Sequence, residues 1–200
     1  LREGKEQLAQ DLEYFFENDL FMMVNEPDIH APFLFNYLGK PWLTQKWARI
    51  FTTKEVTQRY HNHGLYETPV VSRIFRADTK GYIETMDDDA GAMASWFVMS
   101  AMGLFPSDPA MPYYLIGSPI FPEYRIQLEN GNVFTVKANN VSEDNYYIQS
   151  ATLNGVEFDQ CWISYDTIML GGVLEFEMGN VPNKKWGKSG DIPSGMKETF

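Results

Sequence analysis

The chain has 200 residues, of which 44% are hydrophobic and 22% charged, which is typical of a folded protein with one full core or two small ones. Its 16 basic and 27 acidic residues give a formal net charge of -11, which argues against a nucleic-acid partner and fits a neutral or cationic ligand such as a metal ion. The single cysteine, Cys161, excludes an intrachain disulfide, and no apolar run approaches the roughly 20 residues of a membrane span.

Helical patterns dominate the first half. The chain opens at Leu1 without Met, inside a predicted helix, so we expect a piece of a longer protein. The spacing of apolar residues, together with Pro and Gly at the ends, predicts helices over 5–24, 31–38, 41–60, 68–77 and 91–102. Gly103 is the expected cap of the last helix. The polar run His61-Asn62-His63-Gly64 is interpreted as an exposed loop.

Alternating apolar residues and turn signals dominate the second half. Asn130-Gly131 and Asn154-Gly155 are strong hairpin signals. The predicted strands are 113–116, 124–128, 133–138, 146–153, 161–164, 167–170 and 173–178. Helices followed by strands predict an α+β fold of two parts, 1–107 and 108–185, with a flexible tail over 186–200.

Three consecutive acidic residues, Asp87-Asp88-Asp89, precede the helix over 91–102. One Asp at that place is explained as a helix cap, because it accepts hydrogen bonds from free N–H groups. Three in a row repel one another, which requires either solvent or a cation. From the residues alone, capping and a metal or catalytic role both stay open.

A second acidic motif, Asn25-Glu26-Pro27-Asp28, is predicted at a helix end. It is either a polar turn or a set of oxygen ligands for a hard cation. If the two motifs meet at one end of a helical array, they supply carboxyl groups of the kind that glycoside hydrolysis uses, although the spacing alone does not establish this.

Three ordered motifs resemble a known family. The first runs from Asn25-Glu26-Pro27-Asp28 through Gly39-Lys40-Pro41-Trp42 to Gln45. The second runs from Asp87-Asp88-Asp89-Ala90-Gly91 to Phe105-Pro106. The third is Tyr114-Leu115-Ile116-Gly117-Ser118-Pro119. Together they are similar to glycoside hydrolase family 92, a family of calcium-dependent, exo-acting α-mannosidases, over about residues 10–185.

The resemblance implies a fold and a set of site residues. Residues 1 to about 107 would be the last helices of an (α/α)6 toroid, followed by a β-sandwich-like portion. The mechanism would be inverting, with Asp89 as the catalytic base and Asp87 as its partner. Calcium would be held by Asn25, Glu26 and Asp89, and the mannose-containing substrate contacted by Asn25, Glu26, His30 and Gln45.

Two departures limit this expectation. The family's general acid lies farther upstream of the Asn-Glu-Pro motif than the 24 residues present here, so we expect the upstream part of the same enzyme to supply it. In addition, Phe21, Met22 and Met23 are apolar where some α-1,2-selective members have a polar pair, so that linkage preference is not predicted. The resemblance places the protein in the periplasm or outside the cell.

Two other interpretations remain open at this point. The chain could be a non-catalytic module that binds calcium and mannose, or a structural fragment without activity on its own. An incomplete toroid would expose apolar helix faces, so the fragment could also self-associate.

Overall fold

The computed structural model describes residues 4–59, 69–190 and 192–193. Five α-helices and ten strands are assigned within these ranges, with short 3-10 turns at Glu26–Asp28, Ala31–Phe33 and Asp89–Gly91. The helices are α1 (Lys5–Glu17), α2 (Leu34–Tyr37), α3 (Pro41–Thr53), α4 (Ala92–Met102) and α5 (Tyr165–Met169). The strands are β1 (Glu55–Gln58), β2 (Val70–Arg73), β3 (Leu104–Phe105), β4 (Tyr113–Ile116), β5 (Glu123–Gln127), β6 (Val133–Asn139), β7 (Tyr147–Leu153), β8 (Val156–Glu157), β9 (Trp162–Ser164) and β10 (Gly172–Gly179).

The strands form three open sheets. β1 and β2 make an antiparallel pair beside the helices, and β3, β4 and β9 make a small antiparallel sheet. The largest sheet has the order β5-β6-β10-β7-β8, in which β10 runs parallel to β6 and antiparallel to β7. Both Asn-Gly hairpins predicted from the sequence connect neighbouring strands of this sheet.

Two hydrophobic cores lie on either side of β3 and β4. The first is rich in aromatic side chains from the helices, and the second is formed by the large sheet. Neighbouring residues of these strands serve different cores: Phe105 and Leu115 belong to the first, Leu104 and Ile116 to the second. This follows from the alternation of side chains along a strand. The predicted division at residue 107 falls in the connection between these two strands.

Two of the predicted helices are shorter than expected. The helix predicted over 5–24 ends at Glu17, because Asp19 adopts a left-handed conformation (φ 55°) and the Asn18 side chain donates to the Tyr14 carbonyl. The helix predicted over 41–60 ends at Thr53. β-Branched Val56 and Thr57 then pair with β2, which replaces the helical hydrogen bonds.

Two further predictions were wrong in type. Residues 70–73, predicted as part of a helix, form β2, where Val70 and Val71 favour the extended conformation. Residues 167–170, predicted as a strand, fall largely in α5, because the Ser164 hydroxyl accepts from the Thr167 N–H and caps that helix. The predicted loop at His61-Asn62-His63-Gly64 lies outside the described residues.

The predicted flexible tail is ordered at its beginning. The Asp159 carboxylate accepts from the Gly187 N–H and the Ser189 hydroxyl, and Lys188 forms a β-bridge with Gln160. Residues 186–190 are therefore part of the fold, and residues 191 and 194–200 lie outside the described ranges. None of the helices in those ranges combines the length and apolar character that crossing a bilayer requires.

Candidate functional site

The first acidic motif directly follows a short buried segment of the chain. Met23 and Val24 are fully buried, and the Met23 N–H donates to the Gln58 side-chain oxygen at the end of β1 (3.1 Å). Asn25 is extended, and its side-chain oxygen accepts from the Glu26 N–H (2.9 Å). The half-buried Glu26 is thereby held at the start of a 3-10 turn.

The second acidic motif is a sharp turn into α4. The N-cap position of α4 is Gly91, and the Asp88 carboxylate accepts from the Ala94 N–H in the first turn of the helix (2.9 Å), so this Asp supplies the capping hydrogen bond that the sequence allowed. Ala90 and Gly91 follow with positive φ angles of 54° and 76°. The left-handed backbone turns the chain between Asp89 and the helix, and it leaves Asp89 exposed to solvent.

The structure brings the two motifs together. The Asp87 N–H donates to the Val24 carbonyl, and the Asp89 N–H donates to the Glu26 carboxylate, each at 2.9 Å. Glu26 and Asp89 are 63 residues apart in the chain, and this hydrogen bond places their side chains at one site.

The site concentrates negative charge. The pKa of Asp89 is raised above its ordinary value, first by the charge of Asp87, then by the charge of Glu26 and by a hydrogen bond with Asp87. Asp89 is exposed, so solvent and salt weaken these effects. Two chemical consequences follow: a carboxylate with a raised pKa is a better proton acceptor, and a cation bound here would relieve the repulsion.

The side-chain oxygen atoms of this site are of the chemical type that a hard cation binds. Asn25, Glu26 and Asp89 contribute amide and carboxylate oxygens, which calcium prefers. In number they are fewer than the six to eight oxygens that calcium takes. Across residues 4–59, 69–190 and 192–193, no three His, Cys, Asp or Glu side chains form a group that could hold a metal ion by themselves. Any calcium here would need further oxygen ligands from water, substrate or other parts of the enzyme.

The other two predicted substrate contacts, His30 and Gln45, lie on different elements of the fold. His30 is exposed at the start of the 3-10 turn Ala31–Phe33 and lines, with Asp28, a surface hollow of about 590 Å³ whose wall is mostly apolar and includes residues of α1. Gln45 is buried within α3, where its side-chain oxygen accepts from the Ile148 N–H on β7. Its position favours a structural role, and both substrate contacts stay predictions.

Two supporting residues were not predicted to act here. Gln58 was assigned to a helix, and its contact with Met23 depends on β1, which the sequence pattern did not indicate. Trp96 donates its indole N–H to the carbonyl of Ile29 at 2.7 Å, a contact between residues 67 apart. The stretch around Gln58 is polar and Trp96 has the pattern of an ordinary core aromatic, so no local sequence signal identifies either residue.

Comparison with known proteins decides the family. The sequence model of the glycosyl hydrolase family 92 catalytic domain matches residues 1–180. The chain belongs to glycosyl hydrolase family 92. This confirms the family that the three motifs predicted.

Relatives of the family 92 chain include two solved structures. A family 92 glycosyl hydrolase named ccman5 is 38% identical with a TM-score of 0.87, and the match covers 96% of this chain and 27% of that one. The family 92 inverting mannosidase BT2199 of Bacteroides thetaiotaomicron is 34% identical with a TM-score of 0.68, over 84% of this chain and 20% of that one. Together with the mixed helices and open sheets, these matches confirm the α+β fold class.

A curated relative points the same way. An uncharacterized secreted glycosidase of Arthroderma benhamiae is 32% identical over 197 residues, which are 96% of this chain and 23% of the relative. The family 92 chain thus spans about a quarter of the length of the proteins it matches.

Proposed function

We propose that the whole protein is an inverting, exo-acting α-mannosidase that hydrolyses mannose-containing glycans with calcium, and that this chain supplies the base side of its active site. Membership of family 92 and the likeness to a solved inverting mannosidase support the reaction class. The observation that carries the proposal is the hydrogen bond from the Asp89 N–H to the Glu26 carboxylate, which unites two acidic motifs from distant parts of the chain.

Asp89 is the proposed catalytic base. Its exposed carboxylate can accept a proton from a water molecule that attacks the anomeric carbon. Asp87 lies beside it and raises its pKa, which makes Asp89 a stronger proton acceptor at the moment of attack. Asp88 is directed into α4 as a helix cap and takes no part in proton transfer.

Asn25, Glu26 and Asp89 are the residues of this chain that would hold calcium. Bound calcium would polarise sugar hydroxyls and stabilise charge in the transition state. The role of this chain is to orient the oxygens: the Asn25 oxygen is tied to the Glu26 N–H, and the Glu26 carboxylate to the Asp89 N–H. Both contacts leave lone pairs on the same oxygens for a further partner.

The remaining parts of the proposal concern the rest of the enzyme. The general acid that protonates the leaving oxygen would come from the upstream part of the same enzyme, as the family resemblance implies. The secreted relative of Arthroderma benhamiae supports a location outside the cytoplasm, either secreted or periplasmic. Without the acid, this chain alone would be limited to binding calcium or mannose, which is the alternative function.

Substitution of Asp89 tests the proposal in the full-length protein. We expect Asp89→Asn to lower kcat on an aryl α-mannoside by about 10²- to 10⁴-fold, the usual contribution of a general base. Asp88→Asn is the matched control, because the amide oxygen can still accept from the Ala94 N–H. Its kcat should stay near that of the wild type. Equal activity of Asp89→Asn and wild type would exclude Asp89 as the base.

A further inference from the structure

Trp96 is fixed in the first hydrophobic core, on the helix that follows the Asp89 turn. Its side chain is 1% exposed. The ring stacks on Phe75 (6.0 Å between centroids) and makes edge contacts with Phe33 and Phe105. With aromatic rings on several sides, the indole has little freedom to turn.

The indole N–H of this ring reaches the first acidic motif. It donates to the Ile29 carbonyl at 2.7 Å, and Ile29 directly follows the 3-10 turn Glu26–Asp28. Trp96 lies on α4, whose first turn is capped by Asp88. One hydrogen bond, donated by a buried ring to a half-buried residue, therefore connects the turn that presents Glu26 to the helix that begins at the Asp89 loop.

A second tryptophan shows that burial in this core does not require such a bond. The Trp47 indole nitrogen is buried without a hydrogen-bond partner among the described residues, although its ring stacks on Phe16 in the same core. The indole of Trp96 is thus distinguished from that of Trp47 by its directional contact with the Ile29 carbonyl.

We propose that Trp96 is a positioning residue for the Glu26–Asp89 site. The inference rests on the proposed function of that site. The direct contacts between the two motifs are the Asp87 N–H to the buried Val24 and the Asp89 N–H to Glu26, and water can compete for the second, which is exposed. The Trp96 contact, made from a buried ring, holds the two backbones in register from the side of the core. Its loss lets the Glu26 turn move relative to Asp89 without removing any group that touches substrate.

The test compares two tryptophan substitutions in the full-length protein. Trp96→Phe removes the indole N–H that donates to the Ile29 carbonyl. Trp47→Phe makes the same replacement of indole by phenyl in the same core, but no hydrogen bond is lost. Both variants lose packing. Three quantities are measured in each: amide hydrogen exchange over residues 85–91, the calcium dissociation constant by calorimetry, and kcat and KM on an aryl α-mannoside.

We expect Trp96→Phe alone to accelerate exchange of the Asp87 and Asp89 amides. In addition, Trp96→Phe should weaken calcium binding and lower kcat by about tenfold or more, as substitutions that misorient ligand groups do, with a smaller change in KM. Trp47→Phe should leave all three close to the wild type. If the two variants show equal exchange over residues 85–91, Trp96 has no positioning role.

Failure of this inference can be distinguished from failure of the proposed function. If the wild-type protein neither binds calcium nor hydrolyses an α-mannoside, the proposed function is wrong, while the exchange comparison still decides whether Trp96 holds the two motifs together. If Trp96→Phe does not fold, Trp96→benzothienylalanine is used, because it keeps the two-ring shape and lacks only the N–H donor. Unchanged exchange in that variant would overturn the inference.

Discussion

Asp87, Asp88 and Asp89 are adjacent and chemically identical, yet the backbone gives each a different environment. Asp88 is used by the helix, since its carboxylate accepts from the Ala94 N–H. The Asp87 backbone joins the first motif through Val24, and Asp89 is exposed next to Glu26. The alternatives of capping and chemistry, which the residues alone left open, are thus divided among the three: capping belongs to Asp88, and the chemical role proposed here belongs to its neighbours.

The role of Asp88 gives a prediction about stability. Asp88→Ala removes the acceptor for the Ala94 N–H, so we expect the free energy of unfolding to fall by about 1 kcal/mol, the usual effect of losing a cap. Denaturant unfolding measures this. Asp88→Asn keeps an oxygen acceptor and should lose less. Equal stabilities of the Ala variant and the wild type would show that the Asp88 contact does not contribute.

At the scale of elements, α3 connects the helical part to the large sheet. Arg49 on this helix is 3% exposed and donates to the Pro119 and Ser142 carbonyls and to the Ser118 hydroxyl. Burial lowers the pKa of its guanidinium to about 10, so the group stays charged at neutral pH. Because these acceptors belong to the segments around the sheet, Arg49 fixes the position of α3 against it.

Removal of this charge should destabilise the fold. We expect Arg49→Met to lower the free energy of unfolding by about 3 kcal/mol, since the buried carbonyl of Pro119 and the buried hydroxyl of Ser118 lose a charged donor. Lys46→Met on the same helix is the control, because the Lys46 ammonium makes two contacts that are weak near solvent: a loose ion pair with Glu17 at 3.5 Å and a cation–π contact with the Trp47 ring at 4.4 Å. It should change stability by less than about 1 kcal/mol. Similar losses in the two variants would contradict a special role of Arg49.

The sequence predicted elements best where local signals were complete. α4 was predicted within one residue because Gly103 adopts the left-handed conformation of a helix cap, and most strands of the large sheet were predicted because Asn-Gly turns separate them. β1 and β2 were not predicted, since each is four residues long and is stabilised by pairing with the other strand, which no local pattern reveals.

The candidate site was also predicted in part. Its two acidic motifs stood out in the sequence, the roles of their residues came from the resemblance to a family, and the meeting of the motifs was a hypothesis. The contact itself joins Asp89 and Glu26, which are 63 residues apart, so it depends on tertiary packing that no local pattern reveals. The assignments of base and calcium ligands stay predictions that only variants of the protein can test.

At the scale of the whole molecule, the chain contains two cores but about a quarter of the length of its relatives. The apolar wall of the hollow beside α1 includes Leu8, Leu12 and Phe15, which are half-buried here. The acidic cluster lies within this chain, and a glycosidase site also needs a second carboxyl group in the opposed role.

This division predicts the behaviour of the isolated chain. We expect residues 1–200 to hydrolyse no detectable aryl α-mannoside even with calcium in excess, because the proposed general acid lies elsewhere in the enzyme. The full-length protein, assayed at the same molar concentration, is the positive control. Turnover by the isolated chain would show that the acid is among these 200 residues.

We propose that family 92 chemistry in this protein uses calcium at the Glu26–Asp89 site. The most direct measurement is hydrolysis of an aryl α-mannoside by the full-length protein, followed by proton NMR before and after treatment with a calcium chelator. We predict release of β-mannose as the first product, loss of activity on chelation, and recovery when calcium is restored. Activity that persists without calcium, or α-mannose as the first product, would contradict the account.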